Sequence, residues 1–298
     1  MEIAMPWHTV HAPAKLNRFL HITGRREDGY HTLQSLIVRI GLFDVLHFRP
    51  RWDGVIRLLN PQEGIPADKD LIIRAAKALQ LQTGTPHGTD ILIDKRIPMG
   101  AGLGGGSSDA ATTLITLNKL WQTDLSNTAL AEIGVRLGSD IPFFIEGGRA
   151  AWVEGIGEKV TPVQPSLPVA YCIMHPPVHV PTAEVYGAPG LRRADPAKAI
   201  GSLNDLSDYL KWDNAMEETA RALFPTLDRY AVAFSQWAKE MGWPVPKMSG
   251  SGACFFISLS ETQWVDDAGA AGALSRARDF FQWRAKLDVP NLWLVPQL

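Results

Sequence analysis

Cysteine is almost absent from this 298-residue sequence, which contains only two, Cys172 and Cys254. Both stand in apolar, strand-like runs. A framework of several disulfides and a zinc site built on thiolate ligands both need more cysteines than this, so the count excludes them. The sequence therefore predicts a protein of a reducing compartment, and we expect the cytoplasm.

Neither sign of charge dominates, and no apolar run approaches the length needed to cross a membrane. The chain has 29 Lys and Arg against 31 Asp and Glu, which gives a net charge of −2. This balance provides no general attraction to nucleic acid or to an anionic membrane. The amino-terminal residues also lack the basic-then-apolar pattern of a secretion signal. We expect a small molecule as the partner, rather than nucleic acid or membrane.

Glycine, in contrast, is concentrated in residues 98–109, which read PMGAGLGGGSSD. Five glycines fall within seven residues, where they allow positive φ and leave backbone amides open to a ligand. Ser107, Ser108 and Asp109 are good N-cap residues, and apolar residues at helical spacing follow. The stretch predicts a loop leading into a helix over 108–121, whose free amides and dipole favour a phosphate group.

Two familiar phosphate-binding motifs do not fit this stretch. Residues 100–105 match G-x-G-x-x-G, but that motif needs a preceding strand and an acid about 20 residues later, at the end of a second strand. Asp124 lies near that distance, yet it follows the end of a helical pattern. No G-x-x-x-x-G-K-[ST] string occurs. A different type of phosphate-binding loop remains, with a plain flexible loop as the alternative.

The predicted elements indicate an α+β fold with two domains. Strands and helices are interspersed without a repeated β-α-β pattern. A strand over 33–46 is expected to break at Gly41, and the Pro-rich segment 162–168 is the best candidate boundary. We therefore predict domains at 1–161 and 162–298, which meet at a cleft that holds the active site.

Two charged residues outside the glycine stretch suit phosphoryl transfer. A kinase needs a group that positions or deprotonates the acceptor hydroxyl. Asp140 stands between Gly138, where a helix is expected to stop, and Pro142, so we expect it on a connecting turn where it could act as a base. Lys15 could keep that carboxylate ionised. Because most loop aspartates only cap helices or form turns, a structural role for Asp140 stays open.

Three strings together resemble the motifs of the galactokinase, homoserine kinase, mevalonate kinase and phosphomevalonate kinase (GHMP) superfamily. They are Pro13-Ala-Lys-Leu-Asn17, the glycine stretch 98–109 and Met248-Ser-Gly-Ser-Gly252. Two more strings, TGRREDGYH at 23–31 and GSDIPF at 138–143, are similar to those of the family in this superfamily that phosphorylates a cytidine-diphosphate-linked methylerythritol. The resemblance spans nearly the whole chain. It implies a two-domain GHMP-kinase fold with an ATP-binding N-terminal domain, and a step of non-mevalonate isoprenoid biosynthesis.

The resemblance also implies the catalytic and substrate-binding residues. Asp140 would be the base for the 2-hydroxyl of the methylerythritol, and Lys15 the partner that sustains its charge. Asn17 would hold the acceptor end of the substrate. The residues implied at the cytosine are Tyr30 by stacking and His31 by hydrogen bonding, with Thr182 and Tyr186 as the opposite wall.

ATP is the implied phosphoryl donor. Mg²⁺ is expected with it, although no metal ligands can be assigned from the sequence. The residues implied for the nucleotide are Lys95, Pro98, Met99, Gly100, Ala101, Gly102, Leu103, Gly104, Gly105, Gly106, Ser107 and Ser108.

Two other functions remain open at this point. One is another GHMP small-molecule kinase, of the homoserine or mevalonate type; the other is an inactive nucleotide-binding sensor derived from such a kinase. The sequence also departs from the resembled family in two places. Asn214-Ala-Met-Glu217 stands where Asn-Asp-Leu-Glu is common, and residues 187–211 fit the family poorly.

Overall fold

The computed structural model describes residues 5–164, 168–197, 212–264 and 267–298. It divides the chain into two compact units. The first comprises Met1–Ala14, Leu42–Met99 and Gly104–Val163; the second comprises Lys15–Gly41, Gly100–Leu103 and Gln164–Leu298. The domain limits predicted from the sequence stay a prediction, and residues 165–167 of the proposed boundary lie outside the described residues.

Helices and strands are interspersed along the described chain, which confirms the α+β class. The strands are β1 (His8–Arg25), β2 (His31–Arg51), β3 (Ile56–Leu58), β4 (Gly88–Asp94), β5 (Ala150–Gly155), β6 (Lys159–Pro162), β7 (Ala170–His175), β8 (Lys247–Met248), β9 (Phe255–Leu259) and β10 (Asn291–Pro296). The helices are α1 (Leu71–Thr83), α2 (Gly105–Leu120), α3 (Asn127–Val135), α4 (Ile141–Glu146), α5 (Thr182–Gly187), α6 (Glu217–Leu223), α7 (Pro225–Glu240) and α8 (Asp267–Asp279), the last followed by a π-helical turn, Phe280–Arg284.

The strands form two sheets. One has the order β3-β4-β2-β5-β6, with β1 paired to β2, and the other has the order β10-β7-β9-β8. β4 runs antiparallel to β2, with Asp94 opposite Val45. This register brings the end of β4, and the glycine stretch that follows it, close to Asp44 on β2.

Gly41 does not interrupt β2, contrary to the sequence prediction. The strand runs from His31 to Arg51 without a break. A Cβ atom added at Gly41 would lie 2.7 Å from Cγ of Pro296, and Ile40 forms a β-bridge with Gln297. The glycine therefore permits the close approach of the carboxy-terminal chain, instead of ending the strand.

Local chemistry explains where α1 begins and ends. Asp70 precedes the helix, and its Oδ1 accepts hydrogen bonds from the amides of Ile72 (2.8 Å) and Ile73 (3.3 Å). Gly84 follows the helix in the left-handed conformation, with φ of 65°, and its amide donates to the carbonyl of Gln80. These are the usual N-terminal and C-terminal caps of an α-helix.

The second unit has a continuous apolar core. β7 and β9 contribute Cys172, Met174, Phe255 and Ile257, and α7 contributes a buried face that includes Phe234 and Trp237. Burial raises the pKa of both cysteine thiols, Cys172 and Cys254, above the ordinary value, so they remain protonated core residues. Among the described residues, no helix is both long and apolar enough to span a bilayer.

Candidate active site

The helix that follows the glycine loop starts earlier than predicted. α2 begins at Gly105, after Gly104 in the left-handed conformation with φ of 70°, and no side chain caps it. Ser107 and Ser108 therefore lie in the first turn instead of capping a helix over 108–121. The amide of Ser108 donates to the carbonyl of Gly104 at 2.9 Å. The amides of residues 105–107 precede this first helical hydrogen bond, and such amides are the ones that bind anions.

Residues 100–103 are held in place by hydrogen bonds within the second unit. The amide of Lys15 donates to the carbonyl of Leu103 at 2.9 Å, and that of Cys254 donates to Ala101 at 3.2 Å. Gly102 has φ of 74°, and a Cβ atom there would lie 2.3 Å from the carbonyl oxygen of Ser249. The loop is thus tied at several points, which the alternative of a plain flexible loop does not predict.

Lys15 and Asn17 belong to a buried polar network. Lys15 Nζ donates to Asn17 Oδ1 at 2.6 Å, and Asn17 Nδ2 donates to Ser35 Oγ at 2.9 Å. Ser249 Oγ accepts from the amide of Asn17 at 3.2 Å and donates to the carbonyl of Gly102 at 3.1 Å. The hydroxyl of Ser249 therefore joins the predicted acceptor-binding strand to the glycine loop, consistent with the fixed geometry that positioned catalytic groups need.

Lys95 lies between two buried carboxylates in the first unit. Its Nζ donates to Asp44 Oδ2, and to Asp109 Oδ2 at 2.8 Å. Asp44 Oδ1 also accepts from the amides of Arg96 (2.6 Å) and Ile97 (2.8 Å). These contacts connect the end of β4 to the first turn of α2. No sequence motif indicated this cluster, because Asp44 and Lys95 are 51 residues apart.

Burial and mutual contact shift the pKa values of Asp109 and Lys95 in this cluster. Burial raises the pKa of Asp109 to about 7, more than Lys95 lowers it. Burial lowers the pKa of Lys95, but Asp109 and Asp44 together raise it above the ordinary value. Lys95 is therefore a charged ammonium that is hydrogen-bonded to Asp44 and Asp109. Its predicted contact with a nucleotide stays a prediction.

Asp140 lies on a turn at the start of α4, as the sequence predicted. It is the N-cap residue of that helix, and Pro142 is the second helical residue. α3 ends at Val135, three residues before Gly138. A Cβ atom added at Gly138 would lie 3.6 Å from Ser107 Oγ. The turn that carries Asp140 therefore lies beside the first turn of α2.

Four of the residues predicted to hold a substrate base lie in the second unit. The His31 and Tyr186 rings stack at 5.0 Å between centroids with 19° between their planes. Tyr30 is 62% exposed, in the turn before β2. Thr182 is the first residue of α5, and its Oγ1 lies 2.7 Å from Ser251 Oγ. The structure thus brings His31 to Tyr186 and leaves the ring of Tyr30 exposed.

A further functional candidate, Arg193, lies outside every sequence motif. Arg193 Nε donates to His31 Nε2 at 3.2 Å. This arginine stands in residues 187–211, where the sequence fits its resembled family poorly, so no motif singled it out. The pairing becomes visible only when the two segments are placed side by side in the second unit.

The string Asn214-Ala-Met-Glu217 supports the second glycine turn. Asn214 Nδ2 donates to the carbonyls of Met248 (2.9 Å) and Gly250 (2.7 Å), and Glu217 Oε2 accepts from the amide of Met248 at 3.0 Å. Ala215, in place of the common acid, is buried in the core of the unit. The departure at residue 215 therefore leaves these supporting contacts in place.

Lys15 and Asp140 belong to different units. Their pairing stays a prediction, as do the cleft and the roles carried over from the resemblance. Within each unit, the structure places Lys15 against Asn17, and the Asp140 turn against the start of α2.

Comparison with known proteins identifies the family that the chain resembles. The family model described as the GHMP kinases N terminal domain matches residues 70–148. A relative from Ralstonia pickettii, named 4-diphosphocytidyl-2-C-methyl-D-erythritol kinase, is 46% identical over 253 residues, which are 85% of each chain. A solved structure of 4-(cytidine 5'-diphospho)-2C-methyl-D-erythritol kinase has a TM-score of 0.76 and 32% identity, covering 97% of this chain and 98% of that one.

A homoserine kinase structure from Cytophaga hutchinsonii is similar in fold alone. Its TM-score is 0.70 at 17% identity, covering 100% of this chain and 97% of that one. The Ralstonia pickettii relative and the structure at 32% identity carry the name of one activity. This chain therefore belongs to the 4-diphosphocytidyl-2-C-methyl-D-erythritol kinase family of the GHMP kinases.

Proposed function

We propose that this chain transfers the γ-phosphoryl group of ATP to the 2-hydroxyl of 4-diphosphocytidyl-2-C-methyl-D-erythritol. The hydroxyl oxygen forms a bond to the γ-phosphorus, the bond from that phosphorus to the β–γ bridging oxygen breaks, and ADP leaves. The observation that carries the proposal is the uncapped start of α2, beside the turn that holds Asp140. This is a step of non-mevalonate isoprenoid precursor biosynthesis.

The residues at the start of α2 fit a triphosphate. Three amides precede the first helical hydrogen bond, and Gly104 leaves them without a side-chain cap. The positive end of the helix dipole favours anions at the same place. Ser108 Oγ is buried and has no hydrogen-bond partner among the described residues, so it adds a hydroxyl without a competing partner. Backbone amides would therefore hold the phosphates, with residues 98–108 around them.

Asp140 would take the proton of the 2-hydroxyl as that oxygen attacks. A base is effective when it is ionised and held within hydrogen-bond reach of the proton. Lys15 would keep the carboxylate charged, and the bond from Lys15 to Asn17 fixes the position of that ammonium. Asn17 would orient the acceptor end of the substrate.

Mg²⁺ would accompany the ATP phosphates. Among the described residues no group of three or more His, Cys, Asp or Glu side chains could hold a metal ion. In kinase sites Mg²⁺ is bound by substrate phosphates, water and one or two carboxylates. Its chemical contribution is to neutralise the charge that develops on the transferred group.

The cytosine would bind at Tyr30, His31, Thr182 and Tyr186. Stacking of a base on an aromatic face contributes roughly 1–3 kcal/mol in single-stranded nucleic-acid sites. The base would lie at the edge of the His31 ring, which stays stacked on Tyr186, and Tyr30 would close on one face of the base. His31 would supply a hydrogen bond to the base.

Steady-state ADP release tests the proposal, with 4-diphosphocytidyl-2-C-methyl-D-erythritol, homoserine and mevalonate as acceptors. Turnover with the first substrate alone supports the proposal. Comparable turnover with homoserine or mevalonate indicates the alternative of another GHMP kinase activity. ADP release with all three that does not exceed the rate of an Asp140→Ala variant indicates the inactive sensor.

A further inference from the structure

Arg193 is held in a single orientation by backbone carbonyls. Nη2 donates to the carbonyls of Tyr186 (2.9 Å) and Ala188 (2.7 Å), and Nη1 donates to that of Leu191 at 3.2 Å. A guanidinium with several partners in fixed directions loses little further freedom when it makes another bond. Its Nε–H is directed at His31 Nε2, 3.2 Å away.

This hydrogen bond sets the proton position on His31. An arginine can only donate, so Nε2 of His31 must be the acceptor. A neutral imidazole that accepts at one nitrogen carries its proton on the other, which is Nδ1. Burial and the nearby charges of Arg193 and Arg25 lower the pKa of His31, in agreement with a neutral ring.

The ring is also fixed in its plane. Tyr186 stacks on one face of His31, and Arg193 bonds to the Tyr186 carbonyl as well as to the imidazole edge. One side chain therefore locates both members of the pair that the proposed function assigns to the cytosine.

We propose that Arg193 is a positioning residue for base recognition. It holds His31 as the neutral Nδ1–H tautomer, so that Nδ1–H is the donor to an acceptor atom of the cytosine ring. This inference rests on the proposed function for the identity of the base, but the tautomer itself is a property of the protein without substrate.

The first test measures the tautomer. Two-bond ¹H–¹⁵N spectra of the full chain without ligand distinguish Nδ1–H from Nε2–H imidazoles, and a His31→Gln variant assigns the signal. We expect Nδ1–H in the wild type, and loss of that preference in Arg193→Met. An Nε2–H or a protonated ring at neutral pH in the wild type overturns the inference, whatever the substrate proves to be.

The second test separates positioning from a merely structural role. With 4-diphosphocytidyl-2-C-methyl-D-erythritol, Arg193→Met should raise the substrate KM about ten-fold and change kcat and the KM for ATP little, because an oriented donor to a remote part of the substrate acts in the ground and transition states alike. The neighbouring Arg192→Met is the matched control, since it removes the same side chain from an exposed position, where the guanidinium pairs with the buried Asp195 and the exposed Asp213.

An unchanged substrate KM in Arg193→Met overturns the inference. Equal increases in the KM for both substrates, together with a lower Tm, also overturn it. Such a result indicates a structural role for the contacts with the three carbonyls. If Arg193→Met does not fold, Arg193→Lys keeps the charge and serves in the same two measurements. Absence of any turnover in the wild type counts against the proposed function and leaves the tautomer result to decide this inference.

Discussion

Two aspartates near the start of α2, Asp140 and Asp109, have different surroundings. Asp140 lies on a turn beside the start of α2. Asp109 is inside the same helix start, where its carboxylate and that of Asp44 hold Lys95. We therefore expect changes at Asp140 to affect catalysis, and changes at Asp109 to affect stability and its dependence on pH.

Replacing Asp140 with alanine should lower kcat by roughly 10²–10⁴, the usual range for loss of a general base. ATP should still bind with nearly unchanged affinity, because the amides of the α2 start are not altered. Steady-state kinetics and calorimetric titration with ATP measure the two effects. Asp124→Asn, an exposed acid on a turn where asparagine also tolerates positive φ, is the control. A kcat within two-fold or so of wild type would contradict the role of Asp140.

Stability should fall with rising pH because of Asp109. Its pKa is about 7 in the folded protein, against an ordinary value of 3.8. Between these values the folded state binds more protons than the unfolded state, so the free energy of unfolding decreases as pH rises through that window. Asp109→Asn should remove this contribution, since the amide oxygen can still accept from Lys95 while Asp44 balances the charge.

Urea unfolding of the wild type and of Asp109→Asn, at pH values from about 4 to about 7, measures this difference. The stability of the wild type relative to the variant should decline across the series. Asp124→Asn should run parallel to the wild type. A constant difference between wild type and Asp109→Asn would show that Asp109 ionises normally.

At the scale of elements, the main feature is the glycine loop between β4 and α2. Gly102 needs both a positive φ and the absence of a Cβ, because Ser249 O would lie 2.3 Å from that atom. Gly148 also has positive φ, at 59°, but a Cβ there meets nothing within 4 Å. Alanine at position 102 therefore combines backbone strain with a steric clash, whereas alanine at position 148 causes backbone strain alone.

Gly102→Ala should weaken ATP binding at least about ten-fold, because the loop must move to relieve the contact with Ser249. Gly148→Ala has only the strain of a left-handed alanine, about 1–2 kcal/mol, and should leave the ATP Kd unchanged. Calorimetric titration and thermal unfolding of both variants provide the comparison. Equal ATP affinity in the two variants would contradict a role for the fixed loop in binding phosphate.

Sequence patterns identified most elements, and the misses have physical causes. The apolar spacing after the glycine stretch predicted the end of α2 to within one residue. α2 began three residues early because Gly104 takes the left-handed conformation, which a preference for serine caps does not reveal. Gly41 was predicted to break the strand, because the contact that requires a glycine there is with Pro296. That residue is 255 positions further along the chain, so no local pattern contains it.

At the scale of the whole molecule, the motifs predicted the family, while tertiary contacts supplied the details of the site. Lys15, Asn17 and Asp140 were predicted as site residues from short strings, and their roles stay predictions. The Lys95 cluster and the contact of Arg193 with His31 depend on residues 51 and 162 positions apart, which no local pattern contains. The resemblance predicted that His31 and Tyr186 contact the cytosine, but it did not indicate the stack between their rings.

Competition experiments test how this molecule recognises its substrate. CDP should inhibit with a Ki at least about ten-fold lower than that of 2-C-methyl-D-erythritol 4-phosphate, since only CDP carries a base that stacks. Tyr186→Ala should narrow this difference without changing the KM for ATP. Equal inhibition by the two competitors in the wild type would mean that the base is not recognised.

The most direct measurement of the central claim is transfer of ³²P from [γ-³²P]ATP to 4-diphosphocytidyl-2-C-methyl-D-erythritol in a single turnover. We predict that the wild type places the label on the 2-hydroxyl oxygen, and that Asp140→Ala binds ATP but transfers label at roughly 10⁻²–10⁻⁴ of that rate. No labelled product from the wild type, or equal transfer by the variant, would contradict the account.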